Sequence, residues 1–374
     1  MDEFPLAPPS AGGNPAPLWF LVFFKTLGFA LHMGPMHVWF AGLALAAVLS
    51  MAGYGHARRL ARRLVSAMPV FIALGVNFGI VPLLFVQVAY YPVIYPANIL
   101  MGWFWFSVIP LLMLAYYGVY YYAVSIRRDR VGPLAIVAGV VSAACFLAIG
   151  FIFTNNFALM TNHEQMLAIY DRTSVAGAVT GLALNADDPT VLPRWLMVLG
   201  LAMTTTAVFV MADAALIAKR ETADYRAWAR RFSLVLQLVG SAWFAAFGSW
   251  YLFGTLAPAT LAAARADLAI TVLMALTAVG PALTFAALWM ASRSGEARWV
   301  WAAVAAQFVV LALNAVSRQW VQNVELARFF DPARLPVDTQ MSPLIAFLVT
   351  FTVGIAIIVW MVRQAVVALR AQKA

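Results

Sequence analysis

Two histidines and two methionines share one short stretch, "FALHMGPMHVWF", residues 29–40, which holds His32, Met33, Met36 and His37. Imidazole and thioether are the side chains that ligate haem iron, and in combination they also suit Cu(I). At about 100° per residue, a spacing of five sets His32 and His37 about 140° apart, so a regular helix puts them on different faces. Each has a methionine on its own face: Met36 lies four after His32, and Met33 four before His37. Three readings stay open. At least one histidine ligates haem iron, with His32 or His37 as the donor; or Gly34-Pro35 bends the helix until all four side chains hold copper; or both histidines are packed polar groups.

Other ionisable groups inside apolar stretches are costly in lipid and so are candidates for function. Lys25 lies about five residues past the start of its apolar run, so its stem either snorkels to the interface or neutralises a buried anion such as a haem propionate. Asp213, in "VMADAALIAKR", has Lys219 and Arg220 nearby, which favours a local pair or a hydrated edge over a proton relay. Asn77 and Gln87 read as interhelical hydrogen-bonding groups. His56, beside Arg58 and Arg59, reads as solvated, and His163 in "TNHEQM" as a loop histidine. Cys145 is the single cysteine, which excludes a disulfide or a cysteine-built metal site. No hydrolase, phosphate-loop or dinucleotide-binding motif is present, so any chemistry must come from a cofactor.

The elements that position these residues are membrane helices. The chain of 374 residues is 64% hydrophobic and 10% charged, far from the composition of a soluble domain. Apolar runs of about 20 residues select helices over a barrel. Hydropathy with proline, glycine and charge breaks predicts nine spans, at 17–53, 66–90, 98–124, 132–155, 194–218, 232–257, 267–291, 299–316 and 343–362. Residues 1–16 form an acidic, Pro- and Gly-rich external leader, and 17–374 a single transmembrane domain. The net charge of +9 does not point to nucleic acid, because the basic residues sit in short loops between spans. Most of the 24 Lys and Arg residues fall in loops on one side, including "RRLARR" and "RRDR". The positive-inside rule then puts the N-terminus outside and the C-terminus in the cytoplasm. Two outer loops are long, at 156–193 and 317–342, a length that usually carries function.

Five stretches resemble, in order, subunit I of cytochrome bd-type quinol oxidases. "FALHMGPMHVWFAGLALAAVL" resembles that family's first helix with its haem-ligand histidine, "GVNFGIVPLLFVQ" the opening of the second, and "FIFTNNFALM" the end of the fourth. "DDPTVLPRWLMVLGLAMTT" is similar to the entry of the fifth, and "AVSRQWVQN" to the Gly-Arg-Gln-Pro-Trp motif after the eighth. The resemblance implies that His32 is the axial ligand of a haem iron in the first helix. It also implies that Arg318, Gln319 and Trp320 brace the outer haem region or the loop covering it. At the positions where the family has the histidine and methionine that hold its quinol-facing haem b, the resemblance places Met197 and Met274, which implies either bis-methionine ligation or loss of that haem.

The departures limit what carries over. The third span, "NILMGWFWFSVIPLLML", has no acid, and the last, "VTFTVGIAIIVWMVRQ", lacks the family's glutamate ligand. The quinol loop is reduced to "TLAPATLAAARAD". Oxygen reduction is therefore not expected. The resemblance implies a divergent subunit of a respiratory complex in the bacterial inner membrane, binding b-type haem and relaying electrons between the membrane and outer-side carriers. Quinone stays open as a second cofactor. The alternative is a haem-free scaffold that anchors a periplasmic cytochrome or other redox protein beside further membrane subunits, using Arg172, Arg318, Arg328 and Arg334.

Overall fold

The computed structural model describes residues 13–52, 55–128 and 131–371. In chain order the helices are α1 (Leu18–Ala52), α2 (His56–Ala89), α3 (Tyr91–Leu100), α4 (Gly102–Arg127), α5 (Pro133–Leu159) and α6 (His163–Thr173). They continue as α7 (Val191–Ala212), α8 (Ala223–Ser249), α9 (Pro258–Ala266), α10 (Leu268–Ser294), α11 (Ala297–Leu326) and α12 (Met341–Ala371). Among the described residues, nine of the helical stretches are long and apolar enough to cross a membrane. Each coincides with a span read from hydropathy. Short π-helical turns extend α7 over Asp213–Ile217 and α8 over Trp250–Thr255.

α1 is the central element, packed against α2, α5, α7 and α11. Small residues allow the close approach that membrane helices need. A Cβ on Gly75 of α2 would come 2.6 Å from the Trp39 ring, and one on Gly79 2.8 Å from the His32 ring. The helix pair α1–α2 is thus keyed by two glycines that accept two aromatic side chains. By contrast α12 meets the bundle through Phe347 and Phe351, whose rings contact Phe20, Phe24 and Phe85 at its first turns.

Three sequence expectations are corrected. The eighth span does not end at 316: α11 runs on to Leu326, so Arg318, Gln319 and Trp320 stand on a membrane helix and not in an outer loop. The hydropathy falls there because polar side chains face inward, where they find partners; the backbone has no reason to break. The outer stretch 156–193 likewise holds α6, which starts where the Asn162 side chain accepts from the Gln165 N–H. Asp213 pairs with neither Lys219 nor Arg220. Its carboxylate accepts from Arg63 of α2, at 2.5 and 2.7 Å, a partner 150 residues away that no local pattern could name.

The leader expected at residues 1–16 lies, up to residue 12, outside the described residues. Its end is tied down: Asn14 N–H donates to the Pro336 carbonyl at 2.7 Å, and Asp338 N–H to that of Asn14 at 3.0 Å. The start of α1 and the segment before α12 therefore share one side of the bundle.

Candidate functional site

The residues singled out in the sequence fall into three separate groups. The first lines a cavity of about 420 Å³ in the half of the bundle that holds the start of α1, enclosed by α5 and α7 to α11. Met197 from α7 and Met274 from α10 both face it and share an apolar cluster with Tyr251, Leu256 and Val321. The π-helical turn after α8 carries Tyr251 and Leu252 into the wall. Such turns are rare and cluster at functional sites. The volume lies within the range of small-molecule and cofactor pockets, about 300 to 1,000 Å³.

Three arginines line this cavity, Arg194, Arg265 and Arg318, and the first and last differ in what they meet. Arg194 donates to both oxygens of Glu325, at 3.0 and 3.2 Å, and lies over the Tyr251 ring. Arg318 lies 4.6 Å over the Phe29 ring and 5.2 Å over that of Phe157. Among the described residues no carboxylate stands within ion-pair distance of Arg318. A cation held by aromatic faces alone in a low-dielectric wall leaves a net positive charge for a ligand to meet.

The second group surrounds Lys25. Its ammonium is buried and does not snorkel, because it donates to Gln319 Oε1 at 2.7 Å and Gln322 Oε1 at 2.6 Å. It also lies 4.5 Å over the Tyr90 ring. Gln319 Nε2 donates to the Tyr90 hydroxyl at 2.9 Å and to Asn323 Oδ1 at 2.8 Å, and the Tyr90 hydroxyl donates to Asn323 Oδ1 at 3.0 Å. Burial pushes the Tyr90 phenol up to about 12, which keeps it a donor. Trp320 packs against the apolar cluster around Met197 and Met274.

The third group is the pair of histidines, and α1 passes through Gly34-Pro35 unbroken. His32 Nδ1 lies 2.7 Å from the Gly75 carbonyl. A carbonyl only accepts, so Nδ1 carries the proton and Nε2 keeps its lone pair, the arrangement common in metal-ligating histidines. His37 Nδ1 lies 3.0 Å from Thr205 Oγ1. That hydroxyl donates to the Leu201 carbonyl and accepts from Gln307 Nε2 at 3.0 Å, so His37 Nδ1 also donates. The two rings thus engage different helices, α2 and α7, and α1 does not break at Gly34-Pro35 to gather the four side chains. The copper reading falls with that geometry. Neither described cavity is lined by His32 or His37.

Asn77 bonds its own helix at the Ala73 carbonyl rather than a neighbour. His56 sits against the Tyr225 and Trp228 rings, and His163 opens α6 stacked on Phe329. Sequence reading missed Arg194, Tyr251, Gln322 and Glu325. A signal existed for two of them: Gln322 and Glu325 follow Arg318 at four and seven residues, one face of a helix, once α11 is allowed to continue.

A b-type haem needs an apolar slot, axial donors and cations for its carboxylates. The cavity supplies an apolar wall, two thioethers from different helices, and Arg318 without an acid partner. On that donor set the residues present fit the group.

No known family's sequence profile matches the chain, and no curated protein matches it in sequence. In fold it is similar to the solved structure of bd oxidase from Geobacillus thermodenitrificans, with a TM-score of 0.58 and 13% identity. The match covers 95% of this chain and 99% of that one. The nine-span bundle therefore has a cytochrome bd-like fold.

Proposed function

We propose that this multi-pass membrane protein is a subunit of a respiratory electron-transfer complex and that its cavity holds one b-type haem. The observation that carries this reading is the meeting of Met197, Met274 and Arg318 at one apolar cavity, within a fold shared with a bd oxidase. Met197 and Met274 would offer thioether sulfur to the iron, and Arg318 would neutralise a carboxylate. When bound, the haem supplies one-electron transfer. The chain's own part is to exclude water with Phe244, Leu252 and Phe253, to fix the thioethers on two helices, and to hold positive charge where the carboxylates sit. Further membrane subunits belong to this reading, as does the bacterial inner membrane with the N-terminus outside. Quinone is a candidate electron partner, although no dedicated loop for it is present.

His32 carries a second haem reading, because its Nδ1–H is spent on Gly75 and its partly buried ring keeps the Nε2 lone pair. A visible spectrum and pyridine haemochromogen assay of the purified native complex test both. Loss of the haem signal in Met197→Ala and Met274→Ala supports the cavity, whereas loss in His32→Ala alone moves the haem to α1. No haem in the freshly isolated wild-type complex sinks both.

The haem-free scaffold remains the rival. It drew on arginines able to meet a periplasmic cytochrome, but Arg172 donates to Asp187, Arg328 to Thr260, and Arg334 pairs with Asp331. Those engagements weaken the case for a docking surface built from them.

A further inference from the structure

Lys25 sits outside the cavity wall, yet it fixes the amide orientation of one wall residue. An ammonium can only donate, so both glutamines bonded to Lys25 must present their carbonyl oxygens to it. For Gln319 the opposite end of the amide is accounted for, since its Nε2 donates to Tyr90 and Asn323. For Gln322 it is not: Nε2 is buried without a hydrogen-bond partner, on a residue that lines the cavity. Turning the amide over would bring its N–H groups against the ammonium, which is forbidden for the same reason. Gln322 is thus locked with a donor left over, one helical turn after Arg318 and on the same face of α11. A buried amide donor left without an acceptor is costly, a cost that an acceptor in the cavity would remove.

We infer that Arg318 and the Gln322 amide form a carboxylate-binding corner of the cavity, with Lys25 as the positioning residue that fixes the amide's direction. The ligand class is an amphipathic carboxylate, apolar in body and carrying an anionic oxygen at one edge. This deepens the preceding reading, and for a porphyrin ligand it rests on it. Arg318 supplies charge, Gln322 supplies direction, and neither Arg194 nor Arg265 replaces them: the first is taken by Glu325, and the second comes from α9 at another part of the wall.

The test is a titration of the full chain, produced in haem-deficient cells and placed in nanodiscs. The probes are protoporphyrin IX against its dimethyl ester, and palmitic acid against its methyl ester. In the wild type each acid binds at least about tenfold more tightly than its ester, the worth of one charge-assisted hydrogen bond. Gln322→Glu, which puts like charge in the corner, and Lys25→Met, which frees the amide to turn, both bring the acid-to-ester ratio toward one. A merely structural role for Lys25 would weaken acid and ester alike and leave the ratio unchanged, which overturns the assignment. Equal binding of acid and ester by the wild type, or no binding of any probe, overturns it too. Discrimination within the palmitate pair without porphyrin binding keeps the corner and removes the haem reading. Discrimination within both pairs, abolished by both variants, supports the two together.

Discussion

The two ends of the helix bundle treat positive charge differently, although the cavity end also holds one ion pair, Arg194 with Glu325. At the end away from the start of α1, Arg63 meets Asp213 through two hydrogen bonds of 2.5 and 2.7 Å, and Glu221 approaches Arg63 and Arg59 at 3.6 and 3.9 Å. Within that group cation and anion close on one another. At the other end Lys25 and Arg318 are met by amide oxygens and aromatic faces, and among the described residues neither has a carboxylate within ion-pair distance. Amides and rings spread a positive charge without cancelling it. The first arrangement pins α2 to α7, whereas the second keeps an electrostatic demand facing a cavity. The difference separates a structural ion pair from a binding site more sharply than the presence of charge alone.

Asp213→Ala is the most severe way to test the first half of the comparison. It strands Arg63 beside a buried gap and should lower unfolding stability in detergent by about 3 kcal/mol, the scale for removing one partner of a largely buried pair. Little change in the unfolding midpoint would mean that the pair does not pin the helices. Arg318→Met should do the reverse. Ligand-free protein keeps its midpoint or gains slightly, because an uncancelled cation has been removed, while haem or porphyrin affinity falls at least about tenfold. If Arg318→Met destabilises as much as Asp213→Ala, the contrast between the ends is lost.

Between the ends lies a neutral network, in which Gln307 donates to Thr204 and Thr205 and His37 donates to Thr205. Gln307→Leu should cost about 1 kcal/mol in the same unfolding measurement, the usual worth of hydrogen bonds between membrane helices. A loss as large as that of Asp213→Ala would show that charge is not what distinguishes the ends. The smallest effect is expected for Arg59→Ala, whose 3.9 Å pair with Glu221 is half exposed. It should move stability by less than about 0.5 kcal/mol. A larger loss would extend the ion-pair network to the surface.

The spans were legible because hydrocarbon imposes length and apolarity on each helix by itself, and that imprint is local. Their ends were less legible where polar residues continue a helix inward. "SRQWVQNVEL" reads as a loop by hydropathy, yet Ser317, Gln319 and Glu325 are buried and bonded across the bundle. The candidate site was legible only in pieces. Met197, Met274 and Arg318 were each named from the resemblance, but their meeting at one cavity depends on how α7, α10 and α11 pack. His32 and His37 drew attention by type, and their partners, Gly75 and Thr205, lie on other helices.

By itself the sequence determined a helical membrane protein of nine spans, the absence of cysteine chemistry, and the set of groups too costly to bury without reason. Those follow from composition and from distances along one helix, which need no neighbour. The tertiary structure decided how each is met: Asp213 by Arg63 and Arg194 by Glu325 through opposite charge, and Lys25 by two neutral glutamine oxygens. It also decided which are left facing a cavity, Arg318 and the Gln322 amide. Electrostatic compensation acts over a few ångströms in space between residues far apart in sequence, so only the packed bundle could settle it.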